Sequence, residues 1–286
     1  MTTTTTIRRH RRVRPGRVVA TVIGIAFALV WIFPVYWMVN TAFKPPYEVT
    51  TPTPQFWPHV FTLRNFHAAI FQSHFFGDLR NSIIVVFGTL IISVIFGIFA
   101  SAALSRFKFR GRRTILVFIL GVQMLPGTAL LIPTFLVFNQ LGLIGSYLGL
   151  ILAYVASVLP FSIWVMRGFF LAIPYELEEA AMIDGASSWQ ILFRVLFPLV
   201  TPGVISTSIF AFVFAWNDYL TAYTFMKTQT MYTLPVWLAS FSTPTTGTDY
   251  GGQMAASVIF SIPVVVFFLI IQRNLVSGMS AGAVKG

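Results

Sequence analysis

Six stretches of the sequence are long and apolar enough to cross a lipid bilayer, and they constrain the fold more than any other feature. A membrane-spanning helix needs about 20 mostly apolar residues. The stretches that meet this requirement are residues 18–43, 81–105, 114–139, 147–171, 201–226 and 254–271. Unpaired backbone groups are costly in lipid, so each stretch is predicted to be helical. The sequence therefore predicts an all-α, polytopic membrane protein with six transmembrane helices.

Composition supports a membrane protein. The chain has 286 residues, of which 56% are hydrophobic and 9% charged, whereas soluble domains carry about 25% charged residues. The absence of cysteine excludes a disulfide framework, a thiolate metal site and a cysteine nucleophile. The first apolar stretch is longer than the core of a signal peptide, which has about 7–15 residues. We interpret it as an uncleaved first span that follows a basic, disordered leader, residues 1–17.

The net charge of +11 is distributed as expected for an oriented membrane protein rather than a nucleic-acid-binding one. The basic residues cluster at 8–17 and 106–113, directly beside apolar stretches. With both termini in the cytoplasm, 15 Lys and Arg residues lie inside and 4 outside, as the positive-inside rule requires. We therefore predict a protein of the cytoplasmic (inner) membrane, with a transmembrane domain at 18–275, a cytoplasmic tail at 276–286, lipid as its environment and no nucleic-acid partner.

The most informative polar segment lies between the fourth and fifth stretches, at residues 174–197. It begins with Pro174, which suits the first position of a helix, and its early glutamates match the positive end of the helix dipole. Asp184-Gly185 predicts a sharp break. Ser187 and Gln190 have the spacing of a capping box. We expect two short cytoplasmic helices, the second tied to the membrane by apolar residues at helical spacing, namely Trp189, Leu192, Phe193, Leu196 and Phe197.

These residues resemble the EAA motif of binding-protein-dependent ABC importer permeases. The matching positions are Glu179-Ala180-Ala181, Asp184-Gly185-Ala186, Phe193 and Leu196-Phe197-Pro198. Position 197 is Phe, where the family often has Leu, and both are apolar. The last residues, 278–286, are similar to the tail of maltose-transporter permeases of the G type. The resemblance places the chain in the carbohydrate branch of this family.

The resemblance implies a type I ABC importer fold in which the segment forms a coupling helix seated on a nucleotide-binding subunit. It assigns coupling to Glu178, Glu179, Ala180, Ala181, Asp184, Gly185 and Ala186, and a tail contact with the ATPase to Ser280, Ala281 and Lys285. The implied partners are two ATPase subunits, a second, homologous permease and an extracytoplasmic solute-binding protein. The sequence contains no phosphate-binding loop of the G-x-x-x-x-G-K-[ST] type. We therefore expect a non-enzymatic subunit that binds no cofactor itself, with ATP and Mg²⁺ held by the ATPase partners.

Polar residues within spans are costly and often functional. Asp218 is predicted to lie inside the fifth span, beside Asn217 and Tyr219. Amide, carboxylate and aromatic groups together suit hydrogen bonding and stacking on a sugar. We predict that these three residues line the substrate pathway, although Asp218 could instead pair across a subunit interface.

Several other readings of the sequence are less well supported. A permease for glycerol phosphate or another small solute would keep the architecture, but a phosphorylated cargo favours Arg or Lys in the pathway, and neither basic cluster lies inside a span. An ion-coupled secondary transporter usually needs more intramembrane carboxylates and internal repeats. A membrane enzyme would need a nucleophile–base pair or carboxylate dyad. The histidines of the first outside loop show no spacing typical of a metal site, so no metal is predicted.

Overall fold

The structure is a computed structural model that describes residues 15–71, 74–243 and 247–282. Within these residues the chain is almost entirely helical. The helices are α1 (Pro15–Ala42), α2 (Pro46–Val49), α3 (Arg64–Phe71), α4 (Phe75–Arg106), α5 (Arg112–Gln123), α6 (Gly127–Gln140), α7 (Tyr147–Ala172), α8 (Glu176–Ile183), α9 (Ser188–Gln190), α10 (Phe197–Asn217), α11 (Leu220–Phe225), α12 (Leu234–Ala239) and α13 (Tyr250–Gly282). A π-helical turn, Ile191–Leu196, joins α9 to α10, and a 3₁₀ turn covers Gln229–Met231. A short antiparallel hairpin pairs Ser242–Thr243 with Gly247–Thr248.

The membrane-spanning pattern predicted from the sequence is largely confirmed. Five helices are long and apolar enough to cross a bilayer, beginning near Val19, Phe75, Tyr147, Ser188 and Tyr250. The predicted start of the second span at residue 81 is too late, because α4 already begins at Phe75. The candidate span of α13 ends at Gln272, before the predicted tail, and the helix itself continues to Gly282. Most of the predicted leader, and Lys285 in the tail, lie outside the described residues.

The third predicted span, 114–139, is wrong as a single continuous helix. Helices α5 and α6 meet at a bend of 107°. Pro126 lies at this break with an extended backbone and is followed by Gly127, the first residue of α6. Proline disfavours helix at the residue before it, and a Pro-Gly pair punctuates helical patterns. The sequence signal for the break was therefore present in the Pro126-Gly127 pair.

The core is formed where α4, α7 and α10 pack closely together. Small residues let the helices approach, as is common in membrane proteins. A Cβ on Gly97 would lie 2.6 Å from Cε of Met166, and one on Gly203 would lie 2.6 Å from the ring of Phe169. By contrast, α1 has no buried residue in its most apolar window. Its apolar surface therefore faces lipid or another subunit.

The long segment between α1 and α4 is not a continuous helix, and buried polar groups hold it in place. The carboxylate of Glu48 accepts hydrogen bonds from the backbone N–H groups of His59 and Val60, both at 3.0 Å. Buried Lys44 donates to the carbonyl oxygen of Gln55. Burial lowers the pKa of Lys44, and the neighbouring Glu48 opposes this shift.

The segment that follows α11 is held to the N-terminal part of α4. The side-chain amide of Asn81 donates to the carbonyl oxygens of Thr230 and Tyr232 at 2.9 and 2.8 Å. One residue further along α4, the hydroxyl of Ser82 accepts the backbone N–H of Leu234 at 2.7 Å. The 3₁₀ turn and the start of α12 are thus held to α4 by buried hydrogen bonds, which are worth most where water is excluded.

Candidate functional site

The polar segment between α7 and α10 has the two-helix build that the sequence predicts. Gly185 ends α8 with a φ of +79°, a conformation that L-residues other than glycine adopt only at a cost. The Ser187 side chain accepts from the backbone N–H of Gln190, and the Gln190 side chain accepts from the N–H of Ser187. The predicted break and capping box are both confirmed. Pro174, however, precedes the helix, because α8 begins at Glu176.

The second half of this segment anchors it to the membrane-spanning bundle. Ile191 and Leu196 are buried against Met166 and Phe170 of α7. The rings of Trp189 and Phe193 stack with centroids 5.9 Å apart, and both meet Phe99 of α4 edge-on. The π-helical turn occurs within this stretch, and such turns often accompany functional sites. The segment is therefore attached to both α4 and α7.

Glu178 is buried, whereas its predicted role in an ATPase-coupling surface requires a side chain that faces outward. Its side chain is 8% exposed, and Oε1 lies 2.6 Å from Nε of Arg106 at the end of α4. The two atoms are close enough for an ion pair but are not aligned as a hydrogen bond. Nη2 of Arg106 also donates to the carbonyl of Ile173 at 3.1 Å. Burial raises the pKa of Glu178, and Arg106 partly opposes this shift.

The other predicted coupling residues differ in how exposed they are. Glu179, Ala180, Asp184 and Gly185 are exposed, whereas Ala181 and Ala186 are partly buried against the bundle. Sequence reasoning overlooked Ile183, which is 87% exposed beside these residues. An isolated apolar side chain on a polar surface is common, but here it completes a patch of acidic, small and apolar groups. Its place beside the EAA residues was the available signal.

The predicted tail residues lie at the end of α13 or after it in the sequence. Ser280 and Ala281 lie in the last turns of α13, and Lys285 is outside the described residues. Within the described residues, no group of three His, Asp or Glu side chains is placed to hold a metal ion.

Asp218 lies just beyond the fifth span, which corrects its predicted place inside a continuous helix. α10 ends at Asn217, and the chain is extended at Asp218 before α11 begins. Oδ2 of Asp218 accepts the backbone N–H groups of Thr221 and Ala222 at 3.0 and 3.2 Å and the hydroxyl of Tyr154 at 2.9 Å. Its carboxylate thus caps α11 and joins that helix to α7.

The other two predicted pathway residues differ in how free their side chains are. The amide of Asn217 donates to the carbonyl of Val213 within its own helix at 2.8 Å. The ring of Tyr219 remains 40% exposed and stacks on Tyr223 with centroids 5.5 Å apart. The structure thus brings Tyr219 to an open aromatic surface, while Asp218 is taken up by contacts within the chain.

The arrangement first defines a class: a polytopic membrane protein in which α8, the turn at Gly185 and α9 form an exposed helical elbow. A profile of binding-protein-dependent transport system inner membrane components matches residues 93–281. This chain belongs to that family of transport permeases.

Individual relatives agree with the family assignment. The chain is 39% identical to the diacetylchitobiose uptake system permease protein DasC of Streptomyces coelicolor, covering 95% of this chain and 98% of the relative. It is 35% identical to the trehalose/maltose transport system permease protein MalG of Thermococcus litoralis, over 94% and 97% of the two chains.

A solved structure supports the fold. A chain from a bacterial ABC transporter involved in the import of the acidic polysaccharide alginate superposes with a TM-score of 0.79 at 25% identity, covering 94% of this chain and 99% of that one. A second alginate ABC transporter structure, in complex with a pentasaccharide-bound periplasmic protein, superposes with a TM-score of 0.64 at 16% identity and supports the fold alone. The chain has the type I importer fold.

Proposed function

We propose that this permease forms half of the translocation pathway of an ATP-driven importer for a saccharide. The chain's similarity, over nearly its whole length, to permeases named for diacetylchitobiose and for trehalose and maltose supports a sugar cargo. A second, homologous permease completes the pathway, and an extracytoplasmic solute-binding protein delivers the cargo. Both termini lie in the cytoplasm, consistent with the distribution of Lys and Arg.

We further propose that two ATPase subunits, which hold ATP and Mg²⁺, drive this permease through α8 and the joint that follows it. The observation that carries this proposal is the exposed patch formed by Glu179, Ala180, Ile183, Asp184 and Gly185. Its small residues allow close approach, and its carboxylates suit a basic cleft. Ala181 and Ala186 support this patch from beneath, and Glu178 positions it from inside. Ser280, Ala281 and Lys285 of the tail are proposed to contact the same ATPase subunits.

Of the three residues predicted to line the substrate pathway, we propose that one contacts the cargo directly. Tyr219 is retained as a cargo contact because its ring is 40% exposed. Asn217 and Asp218 border the pathway, with structural roles at the end of α10. A neutral saccharide fits this environment better than a phosphorylated solute, which would call for a free basic side chain.

The test of the coupling proposal compares charge reversal at two exposed glutamates of α8, Glu179→Lys and Glu176→Lys. Both changes remove one favourable charge from the first turns of the helix, so their effects through the helix dipole are similar. In the reconstituted assembly, Glu179→Lys is expected to abolish the ATPase activity that loaded binding protein stimulates. Glu176→Lys is expected to retain most of it.

Membrane insertion and subunit composition, measured on the purified assembly, provide the control for folding. Equal stimulation in the two variants would contradict the assignment of Glu179 to the ATPase contact.

A further inference from the structure

A large cavity lies beside the first turn of α4, at the end of the molecule opposite the coupling segment. Its volume is ≈ 840 Å³. Small-molecule sites have volumes of about 300–1,000 Å³. The residues of its wall that matter here are Asp78, Tyr219, Tyr223, Gln229, Tyr232 and Trp237.

One wall of the cavity is a row of aromatic rings. Tyr219 and Tyr223 stack at 5.5 Å between centroids, and Tyr232 continues the row at 6.2 Å from Tyr223. Tyr223 is 53% exposed, so a broad ring face is open to the cavity. Tyrosine combines an apolar face with a hydroxyl that donates and accepts hydrogen bonds. A pyranose ring matches such a surface, because its C–H face is apolar and its edge carries hydroxyl groups.

The lining of the cavity also contains a buried carboxyl group with spare hydrogen-bonding capacity. Asp78 is 3% exposed, and its Oδ1 has no hydrogen-bond partner within the described part of the chain. It also forms no ion pair with any described residue. It lies in the first turn of α4. A buried acceptor left unpaired is costly, and a ligand hydroxyl would satisfy it.

Asp218 shows what a carboxylate with a purely structural role looks like in this molecule. Its oxygens accept from Tyr154 and from the start of α11. Asp78 has a similar place at a helix start but keeps one oxygen unused beside the cavity. The contrast favours a ligand as the missing partner, and a buried carboxyl group with an unused oxygen suits a ligand hydroxyl better than an anionic group.

We propose that this outer cavity is a subsite for a neutral pyranose saccharide. Its ring stacks on Tyr219 and Tyr223, and one of its hydroxyl groups donates a hydrogen bond to Asp78. The subsite deepens the proposed function and rests on it, since it receives the cargo that the importer carries. It lies at the outer mouth of the pathway and uses residues of this chain alone.

The test uses the complete assembly in proteoliposomes and exploits the absence of cysteine from this chain. Gln229→Cys places a thiol in the cavity wall, and Tyr47→Cys places one on an exposed outer surface away from the cavity. The rate of modification by an impermeant maleimide is measured as a mass shift of this chain. The probes are maltose, trehalose and diacetylchitobiose, with mannitol as an acyclic control.

At least one saccharide at saturation is expected to slow modification of Gln229→Cys about tenfold by occupying the cavity. Tyr47→Cys should be unaffected, and mannitol should protect neither thiol. In the Gln229→Cys background, Tyr223→Ala is expected to raise the half-protecting concentration about tenfold, and Asp78→Asn to raise it as well. Tyr223→Phe, which keeps the ring, should leave protection almost unchanged.

Parallel uptake measurements separate this inference from the proposed function. Uptake of a saccharide that gives no protection would overturn the subsite and leave the proposed cargo standing. Protection by unloaded binding protein, but by no saccharide, would overturn it and assign the cavity to docking of that protein. If none of the three saccharides were taken up, the proposed cargo would fail and the subsite with it.

Discussion

Gly185 shows how one residue sets the shape of the elbow. Its φ of +79° turns the chain between α8 and α9, and a Cβ built on it would meet no atom within 4 Å. Within this chain the requirement for glycine therefore comes from the backbone conformation and not from a lack of space. Any crowding above Gly185 must come from a partner subunit.

This distinction predicts different outcomes for small and asparagine substitutions. Gly185→Ala should cost about 1–2 kcal/mol at the joint, the usual penalty of a left-handed conformation. Gly185→Asn should cost less, because asparagine tolerates this conformation. Thermal inactivation of stimulated ATPase activity measures the order. Gly168→Ala, at an exposed helical glycine with open space around it, serves as the neutral control.

A larger loss of activity for Gly185→Asn than for Gly185→Ala would contradict the backbone explanation. It would show instead that the size of the side chain, pressed against a partner, decides the outcome.

The carboxylates of Asp218 and Glu178 show which structural roles can be predicted from local sequence and which cannot. Asp218 followed by Thr221 has the pattern of a helix cap, so its capping role was readable but was outweighed by the length of the apolar stretch. The burial of Glu178 was not readable in the same way. It depends on Arg106, which is 72 positions away in the sequence and is brought close only by the packing of α8 on α4.

At the scale of whole elements, the ion pair between Arg106 and Glu178 is a polar link between α8 and α4. A cavity of ≈ 510 Å³ lies beside it, bordered by Tyr175 and Trp189. The link is therefore partly buried but not tightly enclosed. Removing one partner of such a pair leaves the other charge poorly solvated, which is more costly than losing the attraction alone.

We expect Arg106→Glu to weaken attachment of α8, because it places two carboxylates in contact. The double variant Arg106→Glu with Glu178→Arg should recover much of the loss, since it restores opposite charges and the cavity gives room for the exchange. Protease sensitivity of the α8 region in the purified assembly measures attachment, with stimulated ATPase activity alongside. Absence of recovery in the double variant would show that the pair's orientation, not its charge, matters.

The elements themselves were mostly predictable because apolar length is a strong signal in membrane proteins. The break between α5 and α6 was the main exception. The apolar stretch continues through Pro126-Gly127. Hydropathy measures how apolar a segment is and does not indicate a change in the direction of its helix. The packing of these two helices, bent by 107°, depends on neighbours that no local pattern specifies.

For the whole molecule, the excess of basic residues on one side predicts the orientation of every segment. The chain's lack of cysteine allows a direct test with single thiols at Thr53, in the long outside segment, and Ser187, in the elbow; both positions are exposed. In intact cells an impermeant reagent should modify Thr53→Cys and not Ser187→Cys.

Permeabilised cells supply the control, because both thiols should then react. Labelling of Ser187→Cys in intact cells would reverse the orientation and place the coupling segment away from any cytoplasmic ATPase.

The outer cavity and the elbow both contact the same long helix, α4. α4 has 32 residues and so extends about 48 Å. Arg106 meets the elbow at its inner end, and Asn81 holds the last outside segment near its outer end. Tilting a rod of this length by about 10° about its inner end displaces the far end by about 8 Å. A modest pull on the elbow would thus shift the rim of the mouth by more than the width of a sugar ring, with no relay of small side-chain movements in between.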